Sequence, residues 1–469
     1  MKHKLPLYLA ATAATLSSCQ EQKTVNEKPN VLVILLDDAG YNDFGFMGSK
    51  DLKTPNIDAL ANDGVIFTDA HVSASVSGPS RAGILSGRYQ QRCGYECNLG
   101  DTLGLGLNEI TIADVFRENG YSTACIGKWH QGDAPEYHPN KRGFEHFYGF
   151  ISGSRSYFYR PDRDDKPGNT HNLQFNGIQQ KFDGYMTDIL AENARKYIEE
   201  HSKKEKPFMM YLAFNAVHTP MEATKEDMKL FEGHKRQKLA AMTWAVDRGI
   251  GKVIDKLKET GEYENTLIFF LSDNGGAHNN QSTNYPLKGF KGNKFEGGHR
   301  VPFFMVNGST FKGKYPELVS SLDIFATSAS FAGIDIKALK NPLDGVNIIP
   351  YVNGEKQGTP HDKLFWRKDD MAAMRTKSHK YIRVNGVGEV LYSLENNLSE
   401  SEDIKDSLPE IYNIMSSEVK EWEKGLVNPL LWDEGIWNEV TKDIHKDLMN
   451  NRKVSCFTPD QWKKKHQKK

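Results

Sequence analysis

The sequence predicts an α/β protein: a large mixed, mostly parallel sheet sandwiched by helices, followed by a smaller α+β C-terminal subdomain. Three observations carry that prediction. Val31–Leu36, Ser122–Ile126, Phe208–Phe214 and Thr266–Leu271 are short apolar runs without alternation, the pattern of strands buried on both faces. Helical periodicity fills the stretches between them, and strand–helix alternation puts helices on both faces of the sheet. Past residue 355 the character changes. There "LFWRKDDMAAMRTKSHKYIRV" and "VLYSL" read as antiparallel strands, ahead of a helical stretch from Leu408 to about Lys424.

Each helix carries its own signals. Thr54-Pro55 opens one that Gly64 closes, and Thr111 opens another that Gly120 closes. In both, a hydroxyl can accept from the free N–H groups of the first turn, and glycine suits the turn after the last. Leu239, Met242, Val246, Ile250, Val253, Ile254 and Leu257 form one apolar stripe, a long helix that Gly261 ends. The basic end from Lys463 to Lys469 reads as a frayed, solvated tail.

The N-terminal segment predicts export. Lys2 and Lys4 precede an apolar run, Leu5 to Leu16, too short to span a bilayer and suited to an export signal. It ends in Leu16-Ser17-Ser18-Cys19, which resembles a bacterial lipobox. The domain plan is therefore residues 1–18 as a lipoprotein signal peptide, 19–28 as a tether, 29–355 as the main domain and 356–469 as the C-terminal subdomain. Cys19 is expected to carry a lipid that anchors the exported chain to a bacterial membrane, in the periplasm or at the cell surface. Of the 469 residues 26% are charged, with a formal net charge of -1, so nothing in the global charge points to nucleic acid. No Cys-x-x-Cys pair occurs, which argues against a zinc site; Cys93 and Cys97 could be bridged in an oxidising compartment, but packed free thiols are the default reading for Cys93, Cys97, Cys125 and Cys456.

Ligands of open α/β sheets bind beyond the carboxyl ends of the strands. Here every proposed strand delivers chemistry at that end. Val31–Leu36 runs into Asp37-Asp38, Ser122–Ile126 into Gly127-Lys128-Trp129-His130, Phe208–Phe214 into Asn215 and His218, and Thr266–Leu271 into Ser272-Asp273-Asn274. One such coincidence is common, because strands often end in Asp, Asn or Gly turns. Four from separate parts of the chain are a pattern. Asp37, Asp38, Asp273 and Asn274 are hard oxygen ligands, suited to calcium or magnesium rather than zinc. Arg81, Lys128, His130, His218 and Lys291 are cationic or proton-active. Around a hard cation, such a set fits an anionic group with several oxygens, sulfate or phosphate.

The stretch "SVSGPSRAGILSGR", Ser75 to Arg88, has two readings. Ser77 could cap a helix with Pro79 in its first turn. Alternatively Ser77 is a reacting group at a helix N-terminus, where free N–H groups and the positive dipole end favour an anion.

Together these blocks resemble the formylglycine-dependent sulfatases of the alkaline phosphatase superfamily. Ser77-Gly78-Pro79-Ser80-Arg81, continued to Ser86-Gly87-Arg88, follows that family's signature in its serine form, with Ser86 where threonine is usual. Gly127-Lys128-Trp129-His130, His218-Thr219-Pro220, "SDNGG" at Asp273 and "KGFKGNKFEGGHRVP" from Lys288 to Pro302 match in order. The resemblance implies that Ser77 is oxidised to Cα-formylglycine by a radical-type bacterial maturase before export. The hydrated aldehyde would then attack sulfur with one oxygen and expel sulfate through the other. It implies calcium held by Asp37, Asp38, Asp273, Asn274 and residue 77, with magnesium as the other hard-cation choice. Arg81 and His130 would orient the diol, Lys128 and Lys291 would neutralise sulfate oxygens, and His218 would protonate the leaving alcohol. The spacing to Glu296-Gly297-Gly298 selects Lys291 over Lys288 and Lys294, while Arg88, Glu296 and Arg300 read as structural.

For the substrate, export fits a sulfated carbohydrate such as a glycosaminoglycan, a mucin glycan or an algal galactan. Arg155, Tyr157, Tyr159, His171, His278, Trp366 and Arg367 are the candidates for touching it. Two alternatives belong to other classes: a phosphodiesterase or phosphonate monoester hydrolase of the same superfamily, and a non-catalytic glycan-binding lipoprotein. The all-oxygen ligand set argues against a two-zinc phosphatase, and the intact set of motifs argues against a non-catalytic binder.

Overall fold

In the computed structural model the first apolar run becomes the strand Asn30–Leu36, buried along its whole length at the middle of a ten-stranded sheet. The structure describes Met1 and residues 28–466 apart from 99–102, 205, 309–311, 396 and 432–434. The signal segment and Cys19 lie outside the described residues. Phe208–Ala213 and Thr266–Ser272 flank the central strand in parallel. Ser122–Lys128 and His146–Phe150 extend the parallel set on one side. On the other side, Phe303–Asn307 pairs antiparallel with Thr266–Ser272, which makes the sheet mixed.

Alternate residues of the central strand feed two cores, the physical reason for its unbroken apolar run. Leu32, Ile34 and Leu36 face helices Met186–His201, Gln237–Glu259 and Pro55–Asn62. Val31, Val33 and Leu35 face helices Ser77–Ser86, Ile112–Glu118 and Asp323–Phe331. Thr111 caps as expected, with a reciprocal box to Asp114. Thr54 does not: its hydroxyl turns to the Asp58 carboxylate, 3.0 Å away, and no side-chain cap bond forms.

The C-terminal subdomain is a four-stranded antiparallel sheet spanning residues 363–393. Helix Pro409–Lys424 covers one face, packing Met415 and Val419 on Phe365, Met374 and Leu391. The other face packs Leu364, Trp366 and Ile382 against Phe295 and Leu318 of the main domain. Two helices follow, Ile436–Met449 and Pro459–His466. The second places Lys463 to His466 of the expected basic tail in a helix, exposed to solvent but tied down where Lys465 Nζ donates to Asp443 at 3.1 Å and Ser455 at 2.9 Å; the rest of that tail lies outside the described residues.

A buried ionic cluster joins sheet to domain. Glu296 accepts from Arg375 Nε at 3.1 Å and Lys380 Nζ at 2.9 Å, and its own N–H donates to Glu400 Oε2 at 2.9 Å. Burial pushes the Glu400 carboxyl up to about 7, with Lys380 opposing and Glu296 adding to the rise. Below its ordinary value of 4.5 the group is protonated in folded and unfolded chains alike. Between there and about 7 only the unfolded chain releases the proton, so stability falls as pH rises across that window. Glu400→Gln keeps an acceptor for the Glu296 N–H and removes the titration. Urea midpoints measured from pH 4.5 to 8 are expected to lose that slope in the variant, a difference on the order of 3 kcal/mol at pH 8.

Candidate active site

The registers Leu36 with Ser272, Leu35 with Ala213 and Ala213 with Gly127 bring four strand ends to one edge. Backbone bonds carry the ladder past the strands: Asp37 N–H donates to Ala216 at 2.9 Å and Asp273 N–H to Leu36 at 2.9 Å. Asp38 then adopts a left-handed φ of 62°. Regular strand would send the carboxylates of Asp37 and Asp38 to opposite faces, but this turn lets both approach His218, with ligand atoms of all three within 4.8 Å of one another.

The cationic side chains close around these carboxylates. Lys128 Nζ lies 2.7 Å from Asp37 Oδ2, and Arg81 Nε lies 2.9 Å from Asp273 Oδ2. Lys291 Nζ straddles Asp38, at 2.7 and 2.9 Å from its two oxygens. Of the three lysines in that loop it alone reaches the site. Lys288 instead donates to Leu448 O at 3.2 Å, and Lys294 is buried elsewhere. His218 Nδ1 donates to Thr219 O at 2.6 Å, which leaves Nε2 facing the site, 3.6 Å from Asp38. His130, at a φ of 57°, buries Nδ1 without a hydrogen-bond partner. Gly153 fits against that ring: a Cβ there would meet His130 Nε2 at 2.6 Å.

Charge is matched across this cluster, three carboxylates facing Arg81, Lys128 and Lys291. Burial raises the Asp37 carboxyl, but Lys128, His218 and Arg81 hold it below the ordinary carboxylate value. Burial likewise raises Asp38, and Lys291 and His218 bring it below its ordinary value. Burial drives His130 well down, and the charges of Lys128, Arg81 and Lys291 reinforce it, so the ring is neutral near pH 7.

Ser77 is the first residue of helix Ser77–Ser86, and the cap is Val76, so Ser77 does not cap. Its hydroxyl sits instead 3.1 Å from Asp37 Oδ1 and 3.2 Å from Asn274 Oδ1. Two acceptors converge on a group with one proton to give. Oxygens that share one hard cation at 2.3–2.6 Å stand about 3 Å apart, so this crowding fits a calcium-sized ion. The donor chemistry agrees, because Asp37, Asp38, Asp273, Asn274 and Ser77 offer only oxygen. Around them stand Arg81, whose Nη2 is buried without a hydrogen-bond partner, and the lysines. Such a site can bind a tetrahedral oxyanion ester and transfer its central atom to residue 77.

The outer residues divide. His278 lines the same cavity as Asp38, His218 and Lys291. The six others are placed otherwise. Arg155 is buried between the rings of Phe150 and Phe182 and bonds Asp164 at 3.1 Å. Trp366 is buried, stacked 3.9 Å from His299 and donating to Val72 O at 2.7 Å. Arg367 is spent on Glu96, 2.9 Å from Nε, and His171 on Ser154 O and Ser152. Tyr157 is a brace: its hydroxyl, with one proton shared between two carbonyls, lies 2.7 Å from Asn215 O and 2.8 Å from His218 O, which fixes the turn that aims His218. Tyr159 bonds Asp165. Sequence reasoning missed Asn280, which is buried and donates to Asp38 O at 3.0 Å and Val217 O at 3.2 Å. It also missed Phe290, Trp437 and Phe457 in the cavity wall. Asn280 lies in the asparagine-rich "AHNNQSTNY" after Gly276 and Phe290 in the matched block from Lys288 to Pro302, whereas nothing local pointed to Trp437 or Phe457.

The family model for Sulfatase matches residues 29–334. The Uncharacterized sulfatase YdeN of Escherichia coli (strain K12) is 32% identical over 395 residues, 72% of this chain and 68% of that protein. Arylsulfatase G of Homo sapiens is 31% identical over 405 residues, 76% of this chain and 74% of that protein. Among solved structures, Ps i-CgsB in complex with k-i-k-neocarrahexaose is 38% identical with a TM-score of 0.82. That alignment covers 88% of this chain and 97% of that one.

Proposed function

The chain belongs to the sulfatase family and is a sulfuric ester hydrolase, and we propose that its substrate is an O-sulfated carbohydrate, cleaved with residue 77 oxidised to formylglycine beside a bound calcium. One observation carries the site reading: the Ser77 hydroxyl is held between Asp37 and Asn274, within a ring of matched charges. The carbohydrate reading is supported by the neocarrahexaose in the 38% identical neighbour, which favours a sulfated galactan among the glycans considered.

Asp37, Asp38, Asp273, Asn274 and residue 77 would hold the calcium, which when bound supplies a positive charge that eases ionisation of the hydroxyl on residue 77. Oxidation of the serine side chain removes two protons and two electrons, which a maturase takes up. Water adds to the aldehyde of residue 77 to give a gem-diol, and the bond from sulfur to the sugar oxygen breaks as a bond from sulfur to one diol oxygen forms. Loss of the proton from the second hydroxyl then reforms the aldehyde and expels sulfate by breaking the carbon–oxygen bond to the sulfated oxygen. Lys128 and Lys291 neutralise the sulfate oxygens, and Arg81 and His130 orient the attacking group. His218, with Nδ1 committed to Thr219, presents Nε2 to give the departing sugar oxygen its proton.

The test pairs chemistry with mass. Chain produced with a maturase should yield a peptide containing residue 77 that is lighter by two hydrogens, and should release sulfate from an aryl sulfate far faster than phosphate from the matched aryl phosphate. It should also desulfate carrageenan-type oligosaccharides. Faster phosphate release would replace this reading with the phosphoesterase one.

A further inference from the structure

A cavity of about 290 Å³ opens from the catalytic cluster, and helix Ile436–Met449 forms its far wall. Trp437, Val440, Thr441 and Ile444 recur at helical spacing and line it together, so one face of this helix belongs to the site. The helix lies beyond the residues that match the family model. Its anchors are specific. His445 Nε2 accepts the Lys294 N–H at 3.1 Å, and Lys288 Nζ donates to Leu448 O at 3.2 Å and Asn451 Oδ1 at 2.7 Å. Lys288 and Lys294 bracket Lys291, so the loop that brings Lys291 to Asp38 is tied to the helix that carries Trp437.

The cavity wall combines two chemistries: Lys291 and His218 suit a sulfate ester, and His278, Phe290, Trp437 and Phe457 supply aromatic rings. Phe457 lies parallel to His278 at 4.3 Å and 5.8 Å from Phe290, so those rings are engaged with one another. Trp437 differs: it is 50% exposed, and among the described residues no ring stacks on it. A pyranose has the complementary shape, with a C–H face for an aromatic plane and an edge that bears the sulfate and hydroxyls.

We propose that Trp437 is a specificity-determining residue: it stacks on the sugar ring of the substrate and, with the helix it sits on, sets which sulfated carbohydrate the enzyme accepts. The proposal rests on the carbohydrate reading above. Trp437→Ala and Trp437→Phe are to be compared with wild type on a sulfated neocarra-oligosaccharide, with inhibition by inorganic sulfate and thermal melting as companion readouts. Trp437→Ala is expected to raise KM by about tenfold or more with kcat little changed. Trp437→Phe should recover most of the loss, and the inhibition constant of inorganic sulfate should stay within about twofold, because sulfate alone has no sugar face for an aromatic ring to stack on. An unchanged KM in Trp437→Ala overturns the proposal, as does a loss of sulfate inhibition equal to the loss in KM, which would mark a structural role. If wild type cleaves aryl sulfate but no sulfated oligosaccharide, the carbohydrate reading fails and takes the proposal with it, a result distinct from a silent Trp437.

Discussion

Ser77→Ala is expected to lower sulfate release by roughly 10⁴-fold or more, the loss that follows when a covalent nucleophile is removed and only binding and electrostatics are left. The variant lacks the atom that either serine or formylglycine would use, so the prediction holds whichever is present. Folding should survive. The hydroxyl makes two contacts, to Asp37 Oδ1 at 3.1 Å and Asn274 Oδ1 at 3.2 Å, and its loss costs about 1–2 kcal/mol against a fully buried helix. Melting temperature and inhibitor binding by inorganic sulfate should therefore stay near wild type while turnover disappears. Residual turnover within a hundredfold of wild type, in chain whose residue 77 is shown by mass to be alanine, would mean that a different group attacks sulfur.

Much of this site could be read from the sequence for one physical reason. A strand buried on both faces must be apolar throughout, so the residue at which polarity returns marks the sheet edge. Leu36 to Asp37 and Leu271 to Ser272 are such boundaries, and the structure brings them together by parallel register. Local cap chemistry was a weaker guide. Thr111 completes its box, but Thr54 and Ser77 turn their hydroxyls to carboxylates that lie outside any capping pattern. Substrate contacts were the least legible. Arg155 and Trp366 have the chemistry of sugar binders, yet burial and partners inside the fold consume them. The wall that does face the cavity comes from residues 437–457, more than 140 positions after Lys291, and no periodicity along the chain reports which site a helix will cover.

The second large effect is expected from the ion. Dialysis against a calcium chelator should abolish turnover and lower the melting temperature, and added calcium should restore both. A ligand that binds only the folded state at a hundred times its Kd contributes about 2.7 kcal/mol, so the melting shift is measurable without any substrate. Asp37→Asn separates this from general loss of structure. Lys128 Nζ lies 2.7 Å from Asp37 and is buried, so neutralising the carboxylate leaves an uncompensated ammonium as well as a poorer oxygen cage. The variant should fall at least ~100-fold in turnover, and its melting temperature should no longer respond to calcium. Magnesium in place of calcium should give a smaller shift, because its strict octahedral demand at shorter distances fits a cage of five donors from three chain segments poorly. Turnover and melting that ignore the chelator in wild type would mean that the carboxylates serve the lysines and arginine alone. The three-against-three charge balance would then be the finished state of the site, rather than the frame for a cation and the anion it helps to cleave.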